Sequence, residues 1–542
     1  MKTLNLIYHM LRADFLERTR RSSFFVTLAL AVLIGYIFIP PADSTTLMFA
    51  LGPWRGSYNS AWIGAVFGIL IVISMPVLGF FLTKNTVERD RLTRVGQILA
   101  TTPMSKPVYV LGKWLSNLAV LTAMLVILNV MAVVMQLLRG EVFPVDYRAL
   151  SAPIWLMGFP VIALTAALAV LFESIPFLSG SAGNVIYFIA WYIFTDNIAV
   201  PGIFRFNIGT VAPWPDPLGV THLLSALQVI TAQVAPQFNG HINFGGAEYG
   251  VVPQVVTFAG IHWSAAIVLG RLLWFGVAGL LALSTSIPFD RFDPARAGSD
   301  GKVSALNGWL QSLLPKRKQP LAEPGLLPVE NVHLTPITRR ISRLRFLGLL
   351  KAEFKLLVKG RPWWWYLVAA FISLLGLAGP PGGSDVTLAL SMIWPVVAWS
   401  SLGMRETFYE TYKSTYSASH PFRRQFMASW LSGVLLAALA VSGATIRMVI
   451  EGHAERLPLV LLAVLFAPSL AVALGTWSNS SRLFEVIYLL WLFTGVNGAV
   501  PLDFMQVGQA TPNLSMLAVY FILTVMLFTA SIAGRWRQIH AN

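Results

Sequence analysis

The 542-residue chain has no cysteine. That excludes a disulfide framework, a thiol nucleophile and a thiolate metal site, so redox chemistry says nothing of compartment. Charge is also scarce, with Asp, Glu, Lys and Arg making up 12% of residues. The eight histidines are scattered. No His-Glu-x-x-His pairing, Gly-x-Ser-x-Gly elbow or Gly-x-x-x-x-Gly-Lys-Ser/Thr phosphate loop occurs, so no metal or nucleotide cofactor is expected on this chain. If ATP drives the protein, the motor is a separate polypeptide. No aromatic-interleaved basic surface or zinc pattern accompanies the positive charge, which argues against a nucleic-acid partner.

What the chain has in excess is apolar surface. Hydrophobic residues are 56% of the total and the mean hydropathy is +0.67, more than a soluble core of this length could hide. Runs approaching the roughly 20 residues that cross a bilayer lie near 24–40, 61–83, 115–137, 153–172, 181–200 and 263–287. A second set lies near 363–377, 386–404, 426–450, 457–477, 483–500 and 514–533. The expected fold is an all-α polytopic membrane protein of about twelve transmembrane helices, arranged as two pseudo-repeated six-helix bundles. The expected domains are 1–287, a basic linker at 288–345, and 346–542.

Two echoes support the duplication. Leu11, Arg12, Ala13, Asp14 and Phe15 return as Leu350, Lys351, Ala352, Glu353 and Phe354, each time before a basic stretch and an apolar run. Glu88 to Pro103 returns as Glu406 to Pro421 with the same spacing. Two echoes in one order indicate duplication or fusion of a common ancestor, and the long period excludes a solenoid.

Lys and Arg set the expected orientation. Lys2, Arg12, Arg18, Arg20 and Arg21 precede the first run, Lys84 to Lys113 follows the second, and Arg535 and Arg537 follow the last. Those segments and both termini are expected in the cytoplasm, in an inner or plasma membrane. A cleaved signal peptide fits residues 1–40 less well, because the charged region is long and no small-x-small site follows. Residues 288–361 hold fourteen Lys or Arg against six Asp or Glu, a net of +8, explained by topology and attraction to anionic membrane lipid.

The segments after the second run of each half are the most function-like. Residues 87–100 place Leu92, Val95 and Leu99 at helical spacing, with Glu88, Arg91 and Arg94 on the opposite face, which predicts one amphipathic helix. Pro103 ends it, and Ser105 with Pro107 opens the next. The second copy, 406–419, is more aromatic, with Glu406, Tyr412 and Tyr416 before Pro421. An ordinary positive-inside loop on lipid headgroups is the competing reading.

The stretch Glu88 to Pro103, followed by Ser105, Lys106, Tyr109, Leu111, Gly112 and Lys113, resembles the signature of type-2 ATP-binding cassette (ABC) transporter permeases. In that family an acidic residue opens a helix, Leu-x-x-x-Pro closes it, and a Gly-Lys pair enters the third span. The second half departs from it, with Leu431 and Ser432 near the Gly-Lys position. The resemblance implies that the amino-terminal helix of each half (Asp14 and Phe15; Glu353 and Phe354) and the two later segments rest on a cytoplasmic ABC ATPase. Glu88, Arg91, Arg94, Leu99, Pro103, Glu406, Tyr412, Tyr416 and Pro421 would then couple to two ATPase copies, which carry the ATP and Mg.

Few polar residues fall within the runs. Arg271 is the main exception, and Asp196 is its expected intramembrane partner. Glu173 and Glu485 read as interfacial, and Asn184 as an interhelical hydrogen-bonding group. The long loop 201–262 includes an apolar stretch, 218–234, that could gate an exit or cap the bundle. Three functions remain in view. They are an ABC exporter permease, a secondary active transporter with two six-span repeats, and a membrane-embedded lipid-modifying enzyme, whose convergent catalytic groups are not evident. The residues do not select a substrate.

Overall fold

The computed structural model describes residues 2–20, 22–51, 54–195, 216–234, 242–248, 254–290, 292, 345–359, 361, 363–379, 384–417, 420–496, 502–506 and 513–540. Seven helical spans are long and apolar enough to cross a membrane: Ser60–Arg91, Lys106–Arg139, Tyr147–Ser174, Ala265–Ser284, Phe422–Ile450, Ala454–Ser478 and Leu514–Ile539. The chain is a helical polytopic membrane protein.

In chain order the first half contains α1 (Lys2–Thr19), α2 (Ser22–Phe38), α3 (Ser60–Thr83), α4 (Thr86–Leu92), α5 (Val95–Thr101), α6 (Lys106–Arg139), α7 (Tyr147–Ser174), α8 (Pro176–Ser179), α9 (Ser181–Ile193), α10 (Thr221–Val234) and α11 (Ala265–Ser284). The second contains α12 (Arg345–Val358), α13 (Trp363–Ala378), α14 (Ser384–Ile393), α15 (Val396–Trp399), α16 (Arg405–Phe408), α17 (Tyr412–Tyr416), α18 (Met427–Ile450), α19 (Leu457–Ser478), α20 (Ser481–Val496) and α21 (Leu514–His540).

Local chemistry sets several of these boundaries. The Asn59 side chain accepts the Trp62 N–H at 2.8 Å and starts α3. Asp146 accepts from Arg148 and Ala149 at 2.9 and 3.2 Å and starts α7. Ser105 precedes α6 with Pro107 in the first turn, although its hydroxyl makes no cap bond. The apolar run at 386–404 is not one helix. Trp394 and Pro395 separate α14 from α15, since proline brings no backbone donor to continue the ladder.

Two features add detail to this helical frame. A small sheet accompanies the helices, made of β1 (Thr46–Leu51), β2 (Trp54–Gly56), β3 (Ile242–Glu248) and β4 (Gln254–Val256) in the order β3-β1-β2-β4. The β1–β3 pairing is antiparallel and joins residues about two hundred positions apart, which short-range patterning cannot reveal. Within 201–262, α10 packs inward through Leu223, Leu224 and Leu227, all buried, so the described part of the loop caps the bundle.

One buried apolar cluster runs through both halves. Close helix contact uses small residues, as expected where lipid is as apolar as the core. A Cβ on Gly64 of α3 would overlap the Leu150 carbonyl oxygen of α7. The halves meet where Phe188, Trp191 and Tyr192 of α9 surround Phe493 of α20, with ring centroids 6.0, 5.2 and 5.7 Å away. We call this contact the seam.

Candidate functional site

At the end of the bundle holding residues 84–113, the first half buries a four-charge cluster. Asp14 of α1 accepts from Arg89 of α4 at 2.9 Å and from Lys113 of α6 at 2.8 Å. Lys113 also reaches Asp90 at 2.8 Å, and Arg89 lies 3.8 Å from Asp90. The Tyr109 hydroxyl donates to Asp90 at 2.7 Å. Asp14, Asp90 and Lys113 are all buried. Burial of two carboxylates is tolerable here because two cations and further hydrogen bonds surround them. Gly112 packs against Met10 of α1, whose terminal methyl fills the space a Cβ would take.

The second half builds the same arrangement from other residues. Glu353 of α12 bonds Arg405 of α16 and accepts from Gln425 at 2.5 Å. Glu406 lies 3.6 Å from Arg405 and 3.1 Å from Arg535 of α21. Burial works against the Arg405 charge, but Glu353 and Glu406 outweigh it and hold the guanidinium above its ordinary value. Tyr416 is buried beside Arg535, 5.2 Å from ring centroid to guanidinium carbon, and burial raises its phenol.

These contacts correct the register of the second echo. Arg89 and Asp90 play the parts of Arg405 and Glu406, a separation of 316 positions (405 − 89 and 406 − 90), so Glu406 answers to Asp90 and not to Glu88. The same separation relates Trp114 to Trp430, whose indoles donate at 3.0 Å to Ala163 of α7 and Ser469 of α19 respectively. It also relates Arg94 to Glu410, both at positive φ, +61° and +55°.

Those positive-φ residues break the expected amphipathic helices. Residues 87–100 form α4 and α5 with Thr93 and Arg94 between them, and the segment from 405 forms α16 and α17. Glu88, Arg91 and Arg94 therefore do not share one outward face. Arg91 is held by Asp290 at 2.9 Å, Glu88 is half-buried and Arg94 is exposed. Leu99 packs with Met104, Tyr109 and Phe289, while Pro103 is exposed beyond α5. In the second segment Tyr412 and Pro421 are half-buried and Tyr416 faces the bundle, which removes Tyr416 from any outer contact surface. Ala418 and Ser419 lie outside the described residues. The apolar groups that do face outward are Val95 and Ile98 on α5, and Phe408 and Tyr409 beside α16.

The amino-terminal helices are anchored to the bundle through the residues singled out on them. Asp14 and Glu353 are buried, and Phe15 and Phe354 are half-buried, so these four residues hold the helices to the bundle. The start of the linker is also docked. Phe289 stacks on Tyr109 at 4.9 Å and Phe292 meets the same ring edge-on at 5.5 Å, while Lys106 donates to the Phe289 carbonyl at 2.7 Å. Residues 293–344, including the basic cluster at 316–318, lie outside the described residues.

Asp196, the expected partner of Arg271, lies outside the described residues. Among the described residues, the Arg271 guanidinium donates to the backbone carbonyls of Asp216 and Pro217 beneath α10. Glu173 and Glu485, expected at an interface, are buried instead. Glu173 receives the backbone N–H groups of Asn85, Thr86, Val87 and Glu88 at the start of α4. Asn184 does bond between helices, donating to Glu485 and accepting from Lys84.

Sequence reasoning missed Arg89 as a partner of Asp14, Arg405 and Gln425 as partners of Glu353, and Asp90 and Arg535 as further members of the two clusters. The signal lay in the Arg-acid dipeptides at 89–90 and 405–406, spaced identically from Trp114 and Trp430. Comparisons with family models, curated proteins and solved structures found no match.

Proposed function

We propose that the chain is the membrane permease of an ABC transporter, two six-span halves in one polypeptide driven by a separate ATPase. The observation that carries this reading is the pair of buried clusters. In each half a four-charge network ties the leading helix to the short helices that follow the second apolar segment. Movement imposed on α4–α5 or α16–α17 would therefore reach α1 or α12 as a unit. The far end repeats the layout, with Arg139 donating to the carbonyls closing α2 and Arg447 to those closing α13.

On this reading the twelve apolar segments make two six-span halves of one pathway, with both termini in the cytoplasm of an inner or plasma membrane. Two ATPase copies dock on the outward apolar pairs Val95 and Ile98, and Phe408 and Tyr409, and export is the proposed direction. The test is to express the chain with a cassette ATPase encoded beside it and to measure co-elution and ATP hydrolysis. The complex should form, the chain alone should hydrolyse no ATP, and Phe408→Ser with Tyr409→Ser should weaken the complex. Nucleotide binding by the isolated chain would overturn the reading. Orientation is tested by Arg317→Cys, which should resist an impermeant thiol reagent added outside intact cells.

One observation favours the second reading, a gradient-driven transporter. Glu173 and Glu485 are two buried carboxylates near one buried lysine, Lys84. Substrate flux in proteoliposomes driven by a proton or sodium gradient without any ATPase would establish it.

A further inference from the structure

Lys84 sits between α3 and α4, six positions before Asp90 of the first charge cluster. Its ammonium donates to the Leu178 and Gly180 carbonyls at 3.0 and 3.3 Å and to the Asn184 side chain. Asn184 in turn donates to Glu485 of the opposite half. Lys84 and Asn184 are each 3% exposed and Glu485 is 0% exposed, so water does not compete for these bonds. One residue further on, Glu173 of α7 gathers four successive N–H groups at the start of α4, at positions 85–88. The N-terminus of α4 is thus clamped to α7 on one side and, through Lys84 and Asn184, to α20 on the other. Beside this chain the Ser400 hydroxyl lies 3.3 Å from that of Ser181, a second contact between the halves.

We propose that Glu173, Lys84, Asn184 and Glu485 are positioning residues that form a relay, carrying displacement of α4 to the seam between the halves. This rests on the reading of α4–α5 as a coupling segment. Because the four residues belong to α7, the α3–α4 turn, α9 and α20, α4 cannot shift as a rigid piece without straining or breaking the contact to Glu485. The first charge cluster ties α4 to α1, and the relay ties it to the other half. A push on α4 then has a defined consequence, which is release of this end of the seam.

The absence of native cysteine makes the test direct. Ser181→Cys with Ser400→Cys places two thiols across the seam, and disulfide formation by copper phenanthroline reports its closure in the full chain without any ATPase. The double variant should cross-link rapidly. Adding Glu485→Ala should slow the reaction about threefold to tenfold, the shift expected from losing a buried hydrogen bond. Adding Glu173→Ala should slow it in the same direction, and Glu485→Gln, which keeps an acceptor oxygen, should slow it least.

An unchanged rate with Glu485→Ala overturns the seam contact. A slowed rate with Glu485→Ala but not with Glu173→Ala overturns the link to α4. Should an alanine variant fail to fold, Asn184→Asp carries the test against Glu485→Gln, since aspartate repels Glu485 and glutamine does not. Equal rates in those two variants overturn the relay. The assay reads geometry alone, so it can fail while ATPase binding persists, and ATPase binding can fail while the relay stands.

Discussion

In the first half the acids Asp14 and Asp90 share Lys113, which projects from α6. In the second half the position 316 residues later is Ser429, and the cation beside Glu406 is Arg535, which arrives from α21. Helix α21 has 27 residues against 20 in α11, and the added length carries Arg535 inward. In the first half the corresponding space beyond α11 is used differently. Asp290 reaches back to Arg91 and Phe289 covers Tyr109. The comparison teaches that these two clusters keep the same balance of charge while drawing it from different helices. In each cluster two buried carboxylates meet two nearby cations, and a different helix supplies the second one.

The strongest way to break that comparison is Lys113→Met. It leaves Asp14 and Asp90 with Arg89 alone, and stability should fall by about 3 to 5 kcal/mol, the usual cost of breaking a buried pair. Thermal unfolding in detergent measures it. Arg535→Met should cost less, because only Glu406 loses its nearer cation and Arg405 remains 3.6 Å away. Equal losses would show that the clusters do not differ in how they share charge.

A rescue sharpens the same point. Ser429→Lys, placed in the Arg535→Met background, restores a cation at the position matching Lys113. It should recover about 1.5 kcal/mol, the scale of a charge-assisted hydrogen bond. No recovery in the unfolding midpoint would mean that a cation at position 429 does not reach Glu406, even though Trp430 beside it keeps the register of 316.

The outward surfaces give a smaller effect. Val95→Ser with Ile98→Ser, and Phe408→Ser with Tyr409→Ser, should each weaken binding of the proposed ATPase about tenfold. Both should respond little to salt, whereas the contribution of exposed Arg94, tested by Arg94→Glu, should diminish as salt rises. Binding titrations at two ionic strengths decide between these. Tyr416→Ala should instead lower stability, since that ring lies inside beside Arg535.

The smallest effect is expected at the opposite end. Arg55 donates to both oxygens of Glu141 at 2.6 and 2.7 Å, and this partner holds the Glu141 carboxyl below its ordinary value of 4.5. A lowered carboxyl pKa stabilises the fold above the unfolded-state value and loses that contribution as pH falls through the folded one. The unfolding midpoint of the parent should therefore drop below about pH 4.5 more than that of Glu141→Gln. Parallel pH profiles would remove the pair from the account.

Much of the fold was legible because bilayer crossing leaves a long, local imprint. The runs near 61–83 and 457–477 became α3 and α19 with small shifts at their ends. Shorter segments were less readable. Residues 87–100 keep an amphipathic spacing across Thr93 and Arg94, yet Arg94 takes a left-handed conformation and the helix stops. Periodicity records where apolar groups recur but carries no information on a single residue's dihedral angle. Asp14 and Glu353 stood out as a matched pair, but that both are buried was not legible, because a buried carboxylate and an exposed one look alike until their partners are placed.

The sequence by itself determined that this protein is helical and membrane-embedded, since continuous apolar runs of about 20 residues match a membrane-crossing helix, whose backbone polar groups are satisfied within the segment. It also determined that certain acids and bases recur in order. Only the tertiary structure decided that Lys113 serves two acids, that Arg535 replaces it from the far end of the chain, and that Lys84 meets Glu485 through Asn184. Apart from the Lys113–Asp90 pair, those contacts join residues 99 to 301 positions apart. Their energies depend on distance and burial, which exist only once the helices have packed.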